Sequence, residues 1–464
     1  MKNPTENKIA FLNIASTALI AGINFFTIPI FTRLLDTDGY GLVNIYVAWV
    51  QIFTVVIGLK ADGSIGSASA NLKESEQDDY QFSVLTMTFG VFALIFLLCL
   101  LFLLPLSQLL KMSELIVVCM LFQSFGSFLI SFFSMRFIFK KEAAKNFFLS
   151  VGLCVATTLL SIVLITTVFA GETSYYGRIV GLVVPNVLIG IVLFVWLGIS
   201  RREKIKLEYW RFCLVLTLPL IFHGLSQLVL AQTGKIGIQQ LYGDSLAGVY
   251  SIAVVVVSLM AAIYGALNNA FVPFMYEDLA GKTSPKTKKD HFKNYFLLFT
   301  LGSCAFALLS PEIVKLMSPE QYWEAIELLP MLIIGQYCIF LYSFPVNYEF
   351  YAMKTSSIAV GTCLASCMNI ALMIWLAPTF GMLGAAFATM ISYLALFVFH
   401  FSIARFRLGD RNYPVRYYVF GLFFVVVAGI LCAVAQDGIL LRWLLGVFLL
   451  GIACVRIIKK RTIF

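Results

Sequence analysis

Apolar residues dominate this chain in long runs, and short polar connections separate one run from the next. The runs are about 20 residues long, which is the length that an α-helix needs to cross the hydrocarbon core of a bilayer. Helices are expected because a backbone inside lipid must satisfy its own hydrogen bonds. The pattern predicts about fourteen spanning helices, centred on residues 9–31, 40–59, 82–105, 114–135, 147–169, 179–198, 212–232, 247–272, 294–316, 328–352, 357–377, 382–404, 417–435 and 439–456.

The composition leads to the same interpretation. Of 464 residues, 60% are hydrophobic and 12% are charged, whereas a soluble globular domain has roughly 25% charged residues. The first run, residues 9–30, is too long for the core of a secretory signal peptide and lacks a convincing cleavage site. The predicted fold class is therefore all-α, that of a polytopic membrane protein.

The basic residues are distributed unequally between the two sets of connections. If the spans alternate in direction, 27 of the 33 lysines and arginines lie on the side of the N-terminus. The other six are Arg33, Lys111, Arg178, Lys235, Lys315 and Arg442. Positive residues accumulate in cytoplasmic loops, so both termini are predicted to be cytoplasmic. The net charge of +9 then reflects topology and contact with anionic lipid, and no nucleic-acid partner is expected.

The cysteines and histidines do not form the pattern of a metal or catalytic site. Nearly all ten cysteines lie inside apolar runs, and no CxxC pair occurs. Cys363 and Cys367 are one helical turn apart, but nothing in the sequence suggests further ligands, and His223, His291 and His400 are scattered along the chain. A free thiol behaves as a small hydrophobic group, so we expect packing roles for the cysteines. No metal, cofactor or enzyme activity is predicted.

Similar turns recur in the two halves of the chain. LLDTDGYGLVNIY (34–46) joins spans one and two, and LYGDSLAGVYSIA (241–253) joins spans seven and eight. YYGRIVG (175–181) opens span six as TFGMLGA (379–385) opens span twelve. Repeats separated by six spans enter the membrane in the same orientation, which predicts two parallel six-helix bundles with a substrate site between them. The predicted domains are residues 1–205, residues 206–410 and a two-helix appendage, residues 411–464.

Four segments, taken in order, carry a family resemblance. They are TRLLDTDGYGLVNIY (32–46), NNAFVPFMY (268–276), QYWEAIELLPML (321–332) and the longest one, residues 351–393, with Lys354, Thr355, Asn369, Pro378, Gly381, Gly384, Ala385 and Ala386. Together they resemble the polysaccharide (lipid-linked oligosaccharide, O-antigen type) flippase family. That family belongs to the multidrug/oligosaccharidyl-lipid/polysaccharide exporter superfamily.

The resemblance implies a function. Such a flippase carries a polyprenyl-pyrophosphate-linked oligosaccharide, an O-antigen or capsule unit, from the inner to the outer leaflet of the bacterial inner membrane by alternating access. The implied partners are this glycan, the lipid bilayer, and a polysaccharide polymerase or glycosyltransferases. The alternatives are a cation-coupled drug or toxin extruder and a peptidoglycan lipid-precursor flippase of the same superfamily. Span one contains no acidic residue, whereas drug extruders of this superfamily usually place a carboxylate in that bundle.

Polar residues within or bordering spans one, two, seven and eight mark the expected substrate path, because intramembrane polar groups usually face a cavity. The repeat and the resemblance both bring these spans to the interface of the bundles. The predicted substrate-binding residues are Arg33, Lys60, His223, Gln227, Lys235, Asn24, Asn44 and Asn269. The alternative for Arg33 is an interfacial anchor paired with Asp36 or Asp38, and the alternative for Lys235 is snorkelling to the outer surface. Lys60 could instead be a topological signal, and His223 a hydrogen-bonded core histidine.

Ion coupling requires a group that can exchange a proton or hold a cation. His223 qualifies because imidazole titrates near neutral pH. Glu349 qualifies because it is the one acidic residue well inside a span of the second half. The alternative for Glu349 is an ion pair with Lys354.

The short motif Asp36-Thr37-Asp38 raises a remote alternative from another class. Membrane glycosyltransferases use an acidic motif in the first external loop to hold a metal and a lipid-phosphate sugar donor. The motif has only three residues, and the chain has no large external loop for an acceptor. We therefore expect helix capping by Asp38 instead.

Overall fold

The structure is a computed structural model that describes residues 4–200, 205–436 and 438–460. These residues form helices with short connections, and none of them forms a β-strand. The predicted all-α class is therefore confirmed. Three basic residues used in the charge argument, Arg201, Arg202 and Lys204, lie outside the described residues, as do the two chain ends.

The chain divides into two compact units, Met1–Val229 and Leu230–Phe464. The division lies inside a long helix, whereas the predicted domain limits follow loops. The first unit contains α1 Pro4–Leu34, α2 Thr37–Gly58, α3 Ile65–Asn71, α4 Glu74–Leu101, α5 Leu103–Leu110, α6 Glu114–Phe139, α7 Ala143–Thr167, α8 Ser174–Ser200 and the first part of α9 Leu207–Tyr242. The second unit contains the rest of α9, α10 Asp244–Leu279, α11 Pro285–Met317, α12 Leu329–Tyr351, α13 Thr355–Ser402, α14 Val415–Val434 and α15 Ile439–Lys460.

The number of spans agrees with the prediction. Thirteen segments of the described chain are helical, long and apolar enough to cross a membrane. One of them, Ser356–Arg407, has 52 residues, and one straight helix of that length would measure about 78 Å, far more than the ~30 Å hydrocarbon core. Its backbone leaves helical geometry at Gly381, where φ is 58° and ψ is −138°. This segment therefore holds two spans, as predicted, and the total is fourteen.

The two halves of α13 pack against each other as a hairpin. The Asn369 amide donates a hydrogen bond to Ser392 Oγ over 3.3 Å. A Cβ atom at Gly384 would lie 2.3 Å from the carbonyl oxygen of Leu376. The halves can approach this closely only because position 384 has no side chain.

Aromatic rings and one ion-pair cluster hold the first unit together. Phe92 of α4 stacks on Phe125 of α6 with ring centroids 4.6 Å apart. Near the start of α4, Asp78 forms ion pairs with Arg136 at 2.6 Å and Lys140 at 2.7 Å, both near the end of α6. The negative charge of Asp78 is therefore neutralised by cations of the same unit.

Aromatic rings also fill the second unit between α10, α11 and α12. Phe271 stacks on Tyr295 at a centroid distance of 4.2 Å, and Phe299 lies 4.4 Å from Phe340. Such pairs add about 0.5–1.5 kcal/mol each beyond the area that they bury.

Arg442 fixes α15 to α11 in the second unit. Its side chain is 1% exposed and forms a bidentate ion pair with Glu312 at 2.6 and 2.9 Å. The remaining bonds go to the carbonyl oxygens of Leu308 (3.0 Å), Ala435 (2.9 Å) and Gln436 (3.1 Å). The guanidinium thus makes five hydrogen bonds, as many as it has N–H donors. They connect α15 with α11 and with the turn that precedes α15.

We expect the substitution Arg442→Met to destabilise the protein strongly. It leaves the Glu312 carboxylate without its cation, and breaking such a buried pair costs about 3–5 kcal/mol. The double variant Arg442→Met/Glu312→Leu removes both charges, so it should recover part of the loss. Thermal unfolding in detergent measures both effects. A double variant that melts below the single variant would contradict this account of the pair.

Candidate functional site

A cavity of about 750 Å³, whose walls combine valine and leucine side chains with several polar ones, lies within the first unit. Its volume is within the range of roughly 300–1,000 Å³ that is typical of ligand sites. The walls come from α2 and the turn after it, α6 and α9. The polar side chains that line it are Gln51, Thr54, Lys60, Asp62, Gln123, Ser127, His223 and Gln227. Three of the predicted substrate-binding residues, Lys60, His223 and Gln227, therefore share one cavity.

The backbone that follows α2 brings Lys60 to the cavity wall. α2 ends at Gly58, and both Leu59 and Lys60 have left-handed backbone geometry, with φ of 50° and 52°. This geometry costs a residue with a side chain roughly 1–2 kcal/mol. The Lys60 carbonyl then accepts a hydrogen bond from the Gly63 N–H over 3.0 Å, which closes a short 3₁₀ turn. Backbone strain of this kind concentrates at functional sites.

Gly224 of α9 makes room for the Lys60 side chain. A Cβ atom at position 224 would lie 2.9 Å from Lys60 Cε, too close for an ordinary contact. His223 and Gln227 are four residues apart, so they lie on the same face of α9. The helix thus offers an imidazole and an amide beside a gap that the lysine occupies.

The charges in the cavity do not neutralise one another directly. The Asp62 carboxylate accepts a hydrogen bond from Ser131 Oγ over 3.0 Å. Among the ion pairs of the described residues, none includes Lys60 or Asp62. The Lys60 ammonium is therefore available to an anionic ligand.

The other predicted residues of the first unit lie elsewhere. Arg33 is exposed and donates to a carbonyl of its own helix over 2.8 Å. The Asn44 amide also bonds a carbonyl one turn back in its own helix, over 2.9 Å. Asn24 is exposed, and its side-chain oxygen accepts a hydrogen bond from the Cys154 thiol over 3.7 Å. None of these three residues lines the cavity, and their contact with a substrate stays a prediction.

Two predicted residues belong to the second unit. Lys235 is half-buried in the second part of α9, and no ion pair of the described residues includes it. Asn269 is exposed on α10, next to Asn268, whose side-chain oxygen accepts a hydrogen bond from Asn347 over 3.2 Å. Their substrate contacts also stay predictions.

Glu349 makes a buried contact with a histidine in the second unit. Its Oε1 lies 2.6 Å from Nδ1 of His400, and both side chains have 0% exposure. Ser357 donates a hydrogen bond to the other carboxylate oxygen. Lys354, the partner considered from the sequence, is exposed, and none of the ion pairs described includes it. The carboxylate of α12 is thus tied to both halves of α13.

The acidic motif between α1 and α2 caps a helix. Asp36 Oδ1 accepts a hydrogen bond from the Gly39 N–H over 2.7 Å, and α2 begins at Thr37. The predicted capping is confirmed, but the capping residue is Asp36 and not Asp38. A capping carboxylate must precede the helix to reach an N–H in its first turn, and Asp38 already lies inside that turn.

No group of three or more His, Cys, Asp and Glu side chains that could hold a metal ion occurs among the described residues. All ten cysteines are free thiols. The polar side chains that line the cavity can bind and orient a ligand through charge and hydrogen bonds.

Sequence reasoning missed Gly224 and His400. Gly224 carries no chemical group, so only its contact with Lys60 reveals its importance. His400 lies 51 residues from Glu349 along the chain, and only the hairpin of α13 brings the two together. A helical wheel cannot detect either relation.

The chain is similar in sequence or in fold to several known membrane proteins. An uncharacterized membrane protein of Haemophilus influenzae is 25% identical over 394 residues, which cover 80% of this chain and 88% of that protein. The lipid II flippase MurJ, in an inward closed conformation, has a TM-score of 0.68 at 13% identity, covering 97% of this chain and 99% of its own. The MATE multidrug transporter DinF-BH has a TM-score of 0.63 at 15% identity, covering 89% of this chain and 96% of its own.

These two structural matches show a shared fold. The family is shown by a family model for polysaccharide biosynthesis proteins, which matches residues 8–277 of the chain. The match covers more than half of the 464 residues, and the chain therefore belongs to the polysaccharide biosynthesis protein family.

Proposed function

We propose that the protein is a flippase that moves a polyprenyl-pyrophosphate-linked oligosaccharide from the inner to the outer leaflet of the bacterial inner membrane by alternating access. Membership in the family supports a role in polysaccharide biosynthesis. The fold shared with a lipid II flippase supports the movement of a lipid-linked sugar. The observation that carries the proposal is the cavity that Lys60 lines together with several uncharged polar side chains, in a unit made of membrane-spanning helices.

The substrate defines what the protein must supply. An isolated charge in hydrocarbon costs tens of kcal/mol by simple solvation arguments (about 20 or more), so a pyrophosphate and its sugars cannot cross lipid unaided. They need a hydrated path with cations for the phosphates and hydrogen-bonding groups for the sugars. The polyprenyl tail needs no such path and can stay in the bilayer.

The cavity meets both requirements. The Lys60 ammonium would contact the phosphate oxygens, because it is a cation with no ion pair of its own among the described residues. The Gln227 amide lines the same space and can both donate to and accept from sugar hydroxyls. The hydroxyl oxygens of Thr54 and Ser127 can accept from them, because their own hydrogens are donated to Val50 and Asn186. The lining therefore fits an anionic head group followed by a neutral polar one.

A second candidate function follows from Asp62. A carboxylate in the cavity could attract an organic cation, and a MATE multidrug transporter shares the fold. Cation-coupled extrusion of drugs or toxins is therefore the main alternative, and a peptidoglycan lipid-precursor flippase is a variant of the main proposal. The capping role of Asp36 does not favour the glycosyltransferase alternative.

The orientation and partners follow from the proposal. Both termini would lie in the cytoplasm, where the lipid-linked glycan is assembled. Glycosyltransferases would deliver the substrate on that side, and a polysaccharide polymerase would receive it on the other side.

A transporter also needs a driving force, and we propose that Glu349 carries the coupling proton. Its carboxylate is buried against His400 and Ser357, so a change of its charge would be felt by α12 and by both halves of α13. His223 in the cavity is the other group that could exchange a proton with water.

The first test concerns the charges of the cavity. Lys60→Gln should lower the flipping of a labelled polyprenyl-pyrophosphate-linked oligosaccharide in proteoliposomes about tenfold to a hundredfold, because a charged hydrogen bond is worth about 1.5–3 kcal/mol. Lys141→Gln is the matched control: Lys141 is an exposed lysine that also has left-handed backbone geometry, with φ of 60°. Equal flipping by both variants would contradict the proposal.

Asp62→Asn extends this test to the alternative. The asparagine oxygen can still accept the hydrogen bond of Ser131, so the fold should tolerate the change. A flippase for an anionic head group should bind that head group at least as tightly as the unchanged protein does, and it should still flip the lipid. Loss of drug export in this variant, with no effect of Lys60→Gln, would favour the extruder.

A second test asks whether water reaches the cavity. In a variant that lacks the native cysteines, Gln227→Cys should react with a membrane-impermeant maleimide, because a thiol must ionise in water to react. Phe222→Cys is the control, since Phe222 is 60% exposed on the same helix but does not line the cavity. Equal protection of the two thiols, whichever side of the membrane receives the reagent, would argue against a hydrated path.

A third test concerns coupling. Glu349→Gln should abolish the stimulation of flipping by a pH gradient while flipping without a gradient persists, because the amide cannot bind a proton. Glu114→Gln is the control, since Glu114 is an exposed acid at the start of α6. A Glu349→Gln variant that still responds to the gradient would rule out this residue, and His223→Gln should then be tested.

A further inference from the structure

We propose that Arg178 forms a second anion-binding station in the first unit, separate from the Lys60 cavity, and that it takes the pyrophosphate of the same substrate near the outer surface. This inference rests on the proposed function for the identity of the ligand. The station itself rests on the surroundings of the arginine.

The guanidinium of Arg178 is held in one plane. Arg178 lies in the second turn of α8, where its carbon Cζ sits 3.8 Å from the ring centroid of Phe31 in α1. Its Nη1 donates a hydrogen bond to Ser161 Oγ of α7 over 2.9 Å. Stacking on one face and one hydrogen bond at the edge orient the group without using its other donors.

Those other donors have no partner in the described part of the chain. A guanidinium has five N–H donors, and the bond to Ser161 is the one that Arg178 makes among the described residues. No carboxylate of these residues forms an ion pair with it. A half-buried cation in a membrane-spanning helix needs a partner, and the free donors suit a bound ligand in that role.

The neighbouring side chains favour an anion. Tyr40 and Cys154 lie within electrostatic range of Arg178. Asn44 bonds the backbone of Tyr40, and Asn24 bonds Cys154, so two predicted substrate-binding residues border this station. None of these four side chains is charged in its usual form, so none of them neutralises the positive charge of Arg178. An anionic ligand could do so. An oriented guanidinium matches a phosphate because two parallel N–H donors can reach two of its oxygens.

The position of the station complements that of Lys60. Tyr40 is at the start of α2, and Lys60 follows its end; the helix has 22 residues and is about 33 Å long, close to the ~30 Å of the hydrocarbon core. With cytoplasmic termini, the start of α2 and the start of α8 face the outside. A head group released from Lys60 would therefore find its next cation at Arg178.

The experiment compares three variants of the full-length protein: Arg178→Gln, Arg178→Lys and Lys111→Gln. Lys111 is an exposed basic residue of the same predicted outer side and serves as the control. Two measurements are made, the affinity of the purified protein for inorganic pyrophosphate and the flipping of labelled polyprenyl-pyrophosphate-linked oligosaccharide in proteoliposomes. Thermal unfolding of each variant shows whether it is folded.

We expect Arg178→Gln to weaken pyrophosphate binding and slow flipping about tenfold, and Lys111→Gln to change neither. Arg178→Lys keeps the charge but loses the fork of donors, so an intermediate effect is expected, and this variant serves if the glutamine variant does not fold. Normal binding and flipping in Arg178→Gln, with or without a lower melting temperature, would reduce Arg178 to an interfacial anchor and overturn the inference.

The two proposals fail differently. If even the unchanged protein does not flip the glycan lipid, the proposed function fails, while weaker pyrophosphate binding in Arg178→Gln would still support the station. If the unchanged protein flips the lipid and Arg178→Gln flips it equally well, the station alone fails.

Discussion

A charge inside hydrocarbon must have a partner, and this constraint orders the polar residues of the protein. Arg442 satisfies it with Glu312 and three carbonyl oxygens. Asp78 satisfies it with two cations at the end of α6, and Glu349 satisfies it with hydrogen-bonding contacts to His400 and Ser357. In each case the partners belong to different helices of one unit, so the same contacts that neutralise the charge also hold the helices together. Breaking such a contact destabilises the fold, because removing either partner leaves the other one buried and unpaired.

Lys60 and Arg178 differ from these paired groups. Neither forms an ion pair among the described residues, although both lie within or at the end of a membrane-spanning helix. Each is nevertheless held in place, Lys60 by two left-handed residues and the gap at Gly224, and Arg178 by the Phe31 ring and Ser161. An oriented but unpaired cation is what a site for an anionic ligand requires, since the ligand then supplies the missing charge without first breaking an internal pair.

The sequence predicts the fold well because hydrophobic run length and turn residues act locally. The fourteen spans and the cap before α2 both follow from short segments, although the cap is Asp36 and not Asp38. The site is harder to predict because it depends on which face of each helix points inward. Polarity predicted both Arg33 and Lys60 as substrate-binding residues. Arg33 is exposed and bonds its own helix, whereas Lys60 lines a cavity. The partner of Glu349 depends on a hairpin fold that no local pattern encodes.

If Lys60 binds the head group of a transported lipid, the carboxylate in the same cavity wall would also affect transport. A carrier must bind its substrate strongly enough to load it and weakly enough to let it go. A cavity with several unopposed cations would hold a pyrophosphate tightly and release it slowly. Asp62 lies in the same wall, where its carboxylate accepts a hydrogen bond from Ser131 and forms no ion pair with Lys60 among the described residues, so it would lower the affinity for an anion without occupying the lysine. One cation with one anion nearby would bind the head group weakly enough for the head group to be released again.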